Sequence, residues 1–239
     1  MRKRRPAEIK KEARIALAGN WNIITLTSFM LVMSWFLSAL LVSRFFSSAS
    51  RSLFALLSAI AVALILKLLI YLVRAGMTRV ALRISRDQKV VPRDLVYAFK
   101  DQPDRYLVVG VVFTVLELLL ALPEFFYLFY AGVDSTFKLI LVIVWAVLGV
   151  AFLIGFRLVY GFAFAILLDD PACSSLDAIK KSAALTRGRR GRLFLLRLSF
   201  IGWIIPALLS TLIGLVWILP YWEEANMLFY LESTRDESA

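Results

Sequence analysis

Apolar residues run along this chain in long, nearly uncharged blocks rather than in the short periodic stripes of a water-soluble core. The first block extends from Trp21 to Val42, and a short connection from Arg44 to Arg51 leads into the second, Leu53 to Val73. A third covers Tyr106 to Leu122 and a fourth Phe137 to Leu168, while the last runs from Leu193 to Leu231. A hydrocarbon layer about 30 Å thick needs roughly 20 such residues per helix. The fourth block, at 32 residues, is too long for one straight crossing, so its last turns tilt or leave the hydrocarbon. The 39 residues of the last block suit two helices turning near Ile213 and Gly214. The pattern predicts an all-α polytopic membrane protein with six transmembrane helices, five being the alternative.

Between the blocks lie short amphipathic segments. Ile9, Ala13, Ala16 and Leu17 share one helical face, and Gly19 and Asn20 can close that helix. Pro92 opens a second segment with Leu95, Val96 and Phe99 at helical spacing. In the third, Ser174 or Ser175 is the candidate cap, Leu176, Ile179 and Ala183 form the apolar stripe, and Gly188 ends it. The simplest plan is a single membrane domain over residues 1–239, in units 1–75, 76–170 and 171–239. Each unit is an interfacial amphipathic helix followed by a transmembrane hairpin. The longest stretch between blocks is too short for an extramembrane domain with its own core.

Composition supports that picture: 61% of the 239 residues are hydrophobic and 19% charged. Of the 28 Lys and Arg, 22 lie before Trp21, in Arg74–Arg105, in Asp169–Arg192 or after Leu231. Only Arg44, Arg51 and Lys138 fall in the opposite connections, which places both termini in the cytoplasm. This distribution also accounts for the net charge of +11 without nucleic acid. Trp21 begins a retained anchor rather than a cleaved signal.

With no histidine and the single cysteine Cys173, His- or Cys-based metal sites, His triads and disulfides within the chain are excluded. Phosphate-loop, dinucleotide and nucleophile-elbow motifs are missing too, so the expectation is a non-enzyme with no cofactor and no metal. Adjacent Asp169 and Asp170 before Pro171 could hold a divalent cation, but helix termination explains them better.

Charges within apolar blocks are the candidate ligand-binding residues. Lys67, Arg157 and Arg197 reach a common depth near the inner leaflet from three helices, with Glu117 nearer the middle of the third helix. Glu223 and Glu224 fall near the middle of the sixth helix, if it crosses. The cations could snorkel to lipid phosphates, pair with Glu117, Glu223 or Glu224, or line a cytoplasm-open cavity for an anionic headgroup.

The closing run LFLLRLSFIGWIIPALLSTLIGLVWILPYWEEANMLFYLES carries LSFIGW (Leu198–Trp203), Gly214, Pro220 with Tyr221, and Phe229 with Tyr230. Together with EIKKEARIALAGNW and SLDAIKKSAALTRGRRGRLF, it resembles the uncharacterised bacterial integral-membrane family catalogued as domain of unknown function 975. Pro206 and the Glu223–Glu224 pair depart from that family's pattern. The family is distantly similar to membrane domains of glycerophosphodiester phosphodiesterases, which implies a lipid or cell-envelope connection. The resulting expectation is a protein of the bacterial cytoplasmic membrane that binds lipid or an amphipathic peptide in envelope homeostasis or protection. A small transporter or flippase, working with an ion gradient or a partner ATPase, is the alternative. Anionic membrane lipids, and a protein partner or second copy, are the expected partners.

Overall fold

The computed structural model describes residues 4–49, 53–126, 135–203, 207 and 214–238. Every regular element among them is helical. In chain order these are α1 (Pro6–Leu17), α2 (Trp21–Ala49), α3 (Leu53–Ile84), a 3-10 turn (Pro92–Val96), α4 (Tyr97–Lys100), α5 (Pro103–Phe126) and α6 (Thr136–Tyr160). Then follow α7 (Ala163–Asp169), α8 (Ser175–Leu185), α9 (Arg190–Leu198), a 3-10 turn (Ile201–Trp203) and α10 (Leu215–Ser238). Four stretches are long and apolar enough to cross a membrane: Trp21–Leu41, Ile60–Ile84, Pro103–Pro123 and Thr136–Asp169. Their outward residues are apolar as well, among them Phe36, Ile65, Leu119 and Val147. Such a surface suits lipid and not water.

The short helices gather at one end of the bundle, tied together by ion pairs. Asp94 receives Arg79 Nε at 3.0 Å and Arg83 NH1 at 2.9 Å, while Asp169 receives Arg86 NH2 at 2.8 Å. Lys181 meets Asp170 at 2.9 Å, and Glu232 takes Arg192 at 2.7 Å and Arg4 at 3.5 Å. Gly76 lets the 3-10 turn press onto α3, since a Cβ there would stand 2.1 Å from the Leu95 carbonyl oxygen. This end is called the basic end below.

The α1 face is the expected one: Ile9, Ala13 and Leu17 are fully buried, and Gly19 turns the chain with φ +91°. Ser174 caps α8 by accepting Asp177 N–H at 3.2 Å, and Gly188 follows at φ +74°. The docking face of α8 differs from the expected stripe. Leu176 is 57% exposed, whereas Ala178, Ser182 and Leu185 are buried. The reason lies in α6, which breaks at Gly161–Phe162 instead of continuing through the long fourth block. That break frees backbone groups, and Ser182 Oγ serves them by donating to the Val159 carbonyl (2.9 Å) and accepting from Phe162 N–H (3.2 Å). Small hydroxyl residues thus outrank leucine where a broken helix needs partners.

The last block also departs from expectation. Tyr221 Oη donates to the Lys10 carbonyl at 3.2 Å and accepts from Arg14 Nε at 3.2 Å, so α10 reaches the basic end at its second turn. From there it runs antiparallel to α1, with Glu232 beside Arg4. The rings of Phe200 and Tyr221 lie 4.9 Å apart, which puts these two residues at one level. None of the four membrane-length stretches found among the described residues falls between Leu193 and Leu231. Gly214 is described, whereas Ile213 and Pro206 lie outside the described residues.

Candidate functional site

Lys67, Tyr71, Arg74 and Thr78 follow one another at intervals of four, three and four along α3, the spacing that places side chains on one helical face. They form a polar ladder leading from the basic end into the bundle.

At its inner rungs Glu117, from α5, holds two cations. Lys67 Nζ stands 2.7 Å from Oε2 and Arg157 NH2, from α6, 2.9 Å from Oε1, with Tyr71 Oη donating to Oε1 at 3.3 Å. The pairing reading therefore holds for Lys67 and Arg157, and both carboxylate oxygens are engaged. Pairing of this kind offsets the large cost of taking each charge out of water.

Nearer the basic end, Arg197 from α9 points its guanidinium across the end of α6. Its Nε donates to Asn226 Oδ1 at 3.0 Å and NH1 to the Arg157 carbonyl at 2.9 Å. The Phe162 and Trp222 rings flank it at 5.9 Å each. Gly161 makes this approach possible, since a Cβ there would lie 2.3 Å from the Arg157 carbonyl oxygen and 3.1 Å from Arg197 NH2. Glu223, from α10, accepts Thr78 Oγ1 at 2.7 Å and is 8% exposed.

Arg74 sits between these rungs, within electrostatic reach of Arg157, Glu223 and Glu117; Arg197 in turn feels Arg74, Arg157 and Glu223. The Arg74 guanidinium makes no hydrogen bond or ion pair with any described residue. Sequence reasoning placed Arg74 outside the membrane because the apolar block stops at Val73. Its spacing from Lys67 was the signal that could have found it.

Five of the six expected ligand-binding residues, Lys67, Glu117, Arg157, Arg197 and Glu223, thus belong to one connected network. Glu224 does not join it. Its side chain faces the other way, where Oε1 accepts Ser85 Oγ at 2.6 Å. Neither glutamate is near the middle of a crossing helix: Thr78 belongs to the last two turns of α3 and Ser85 directly follows its end, at the basic end. Depth was counted from a crossing taken to begin at Gly214, whereas the contacts with Thr78 and Ser85 put the pair at the basic end.

Asp169 accepts Arg86 and Tyr230 Oη (2.9 Å), and Asp170 accepts Lys181 and Ala172 N–H (3.1 Å). Lys181 draws the Asp170 carboxyl below its ordinary value. Both aspartates serve the turn into α8, and among the described residues no cluster of three or more metal-ligating side chains occurs.

No curated protein and no solved structure matches the chain. The family model described as Protein of unknown function (DUF975) matches residues 1–237, and the chain belongs to that family.

Proposed function

We propose that this chain is a non-enzymatic protein of the bacterial cytoplasmic membrane that holds the headgroup of an anionic lipid in the niche bounded by Arg74, Arg157 and Arg197. In this reading α2, α3, α5 and α6 make four crossings, and the basic end, which α10 joins at Tyr221, faces the cytoplasm. The partition of Lys and Arg supports that orientation. The observation that carries the binding reading is Arg74, a cation placed among charged groups from four helices with no described partner of its own. A half-buried guanidinium that no described residue engages has donors to spare, and an anionic oxygen suits them.

The level of the niche fits a headgroup. Arg74 lies one helical turn, about 6 Å, beyond Thr78, which touches α10 where the amphipathic helices pack. Those helices present further cations, each worth about 1 kcal/mol of attraction to an anionic surface.

Native mass spectrometry of protein extracted in mild detergent tests the reading. A defined anionic lipid is expected on the wild type and is expected to be lost from the Arg74→Gln, Arg157→Gln, Arg197→Gln triple variant. Retention of a peptide instead, or of the same lipids by both proteins, overturns it. For topology, Gly214→Cys in a Cys173→Ser background is expected to resist an impermeant thiol reagent applied outside intact cells. Labelling there would restore the six-crossing arrangement. A transporter is the second reading, favoured by charged side chains that meet from several membrane-length helices. Flux in proteoliposomes separates it from binding alone.

A further inference from the structure

The charges in the niche also select among anions, and this step rests on the reading above. Four cations, Lys67, Arg74, Arg157 and Arg197, share the network with two carboxylates, Glu117 and Glu223. Glu117 is saturated by Lys67 and Arg157. Glu223 has one oxygen held by the Thr78 hydroxyl. Arg197 is oriented only by neutral acceptors, an amide oxygen and a carbonyl, which fix its plane without cancelling its charge. Arg74 is bound to no described residue. Two positive charges are left over across the six groups, one among Arg74, Arg197 and Glu223 and one where Lys67 and Arg157 share Glu117.

We propose that the niche takes a phosphate monoester, a headgroup with three terminal oxygens and close to two negative charges, in preference to a phosphodiester with two terminal oxygens and one charge. Guanidinium forks suit such a group because each can offer two parallel N–H donors to a pair of oxygens. The monoester brings the network to near neutrality, while a diester leaves one cation uncompensated at a depth where that is costly. The same chemistry occurs in a lipid headgroup and in free phosphate; the lipid source follows from the depth of Arg74 within an apolar bundle.

Thermal shift and native mass spectrometry of the purified full chain in neutral detergent decide the matter. The probes are dioleoyl phosphatidate, dioleoyl phosphatidylglycerol, dioleoyl phosphatidylcholine and sodium phosphate, with Arg74→Gln, Arg74→Lys and the exposed collar variant Arg190→Gln. Phosphatidate is expected to bind about tenfold more tightly than phosphatidylglycerol, a difference of roughly 1.4 kcal/mol. Arg74→Gln is expected to erase that preference, Arg74→Lys to weaken it, and Arg190→Gln to leave it intact. Equal binding of phosphatidate and phosphatidylglycerol by the wild type, both above phosphatidylcholine, overturns the monoester assignment and leaves anionic-lipid binding standing. An undiminished preference in a folded Arg74→Gln protein overturns the assignment of Arg74. If no anionic lipid exceeds phosphatidylcholine and sodium phosphate gives no shift, both readings fall. Stabilisation by sodium phosphate equal to that by phosphatidate keeps the monoester site and overturns its lipid source.

Discussion

Lys67 and Arg74 stand two turns apart on the same face of α3, and their surroundings differ in kind. Around Lys67 the chain supplies its own counter-ion: Glu117 lies within 2.9 Å of both Lys67 and Arg157. Around Arg74 it supplies Glu223, already bonded to Thr78, and a second guanidinium held by neutral oxygens. The inner rungs are a closed structural unit, and those near the basic end are an open one. Position on one face of α3 therefore does not separate a cation that the protein pairs from one that it leaves open. What separates them is whether the protein completes the coordination.

Removing the counter-ion of the closed half tests this contrast most severely. Glu117→Leu leaves Lys67 and Arg157 facing each other, and a loss of about 3 kcal/mol in unfolding free energy is expected, read as a drop in the melting midpoint in detergent. A midpoint unchanged from wild type would mean that the two cations find lipid phosphates unaided, and the distinction between the halves would collapse.

Gly161→Ala addresses the open half. The added methyl meets the Arg157 carbonyl and Arg197, so a cost of about 1 to 3 kcal/mol is expected together with weaker retention of anionic lipid. Loss of stability with full lipid retention would show that the position of Arg197 matters to packing and not to the niche.

The smallest effect belongs to the exposed collar pair Asp170–Lys181. Because Lys181 lowers the folded-state value of Asp170, this contribution is present above the ordinary aspartate value of 3.8 and is lost as pH falls below it. The gap in melting midpoint between wild type and Lys181→Gln is therefore expected to be slight at pH 7 and to close toward pH 3. A gap that widens on acidification would contradict the sign.

Much of this was legible in the residues because the bilayer imposes simple rules. The first four of the five apolar blocks, the α1 face, the Ser174 cap and the Gly19 and Gly188 turns follow from local pattern. Depth arithmetic also put Lys67, Arg157 and Arg197 in one layer; the first two meet at Glu117, while Arg197 lies nearer the basic end. It failed for Glu223 and Glu224, since a hydropathy block records how apolar a segment is and not whether the segment crosses. It failed for Arg74 as well, because an apolar block ends at its first charge while the helix does not.

By itself, the amino-acid sequence determined an all-helical membrane chain, read as six crossings of which the structure gives four helices of membrane length, with short amphipathic helices between the apolar blocks. Those features depend on residue composition and on periods of a few residues, which act locally. Tertiary structure alone decided that Glu117 closes one half of the ladder while Arg74 is left open, that α8 docks through Ser182 rather than Leu176, and that α10 returns beside α1. Each of these depends on backbone groups and charges that meet from distant parts of the chain, where the cost of an unpaired polar group, rather than hydrophobicity, selects the partner.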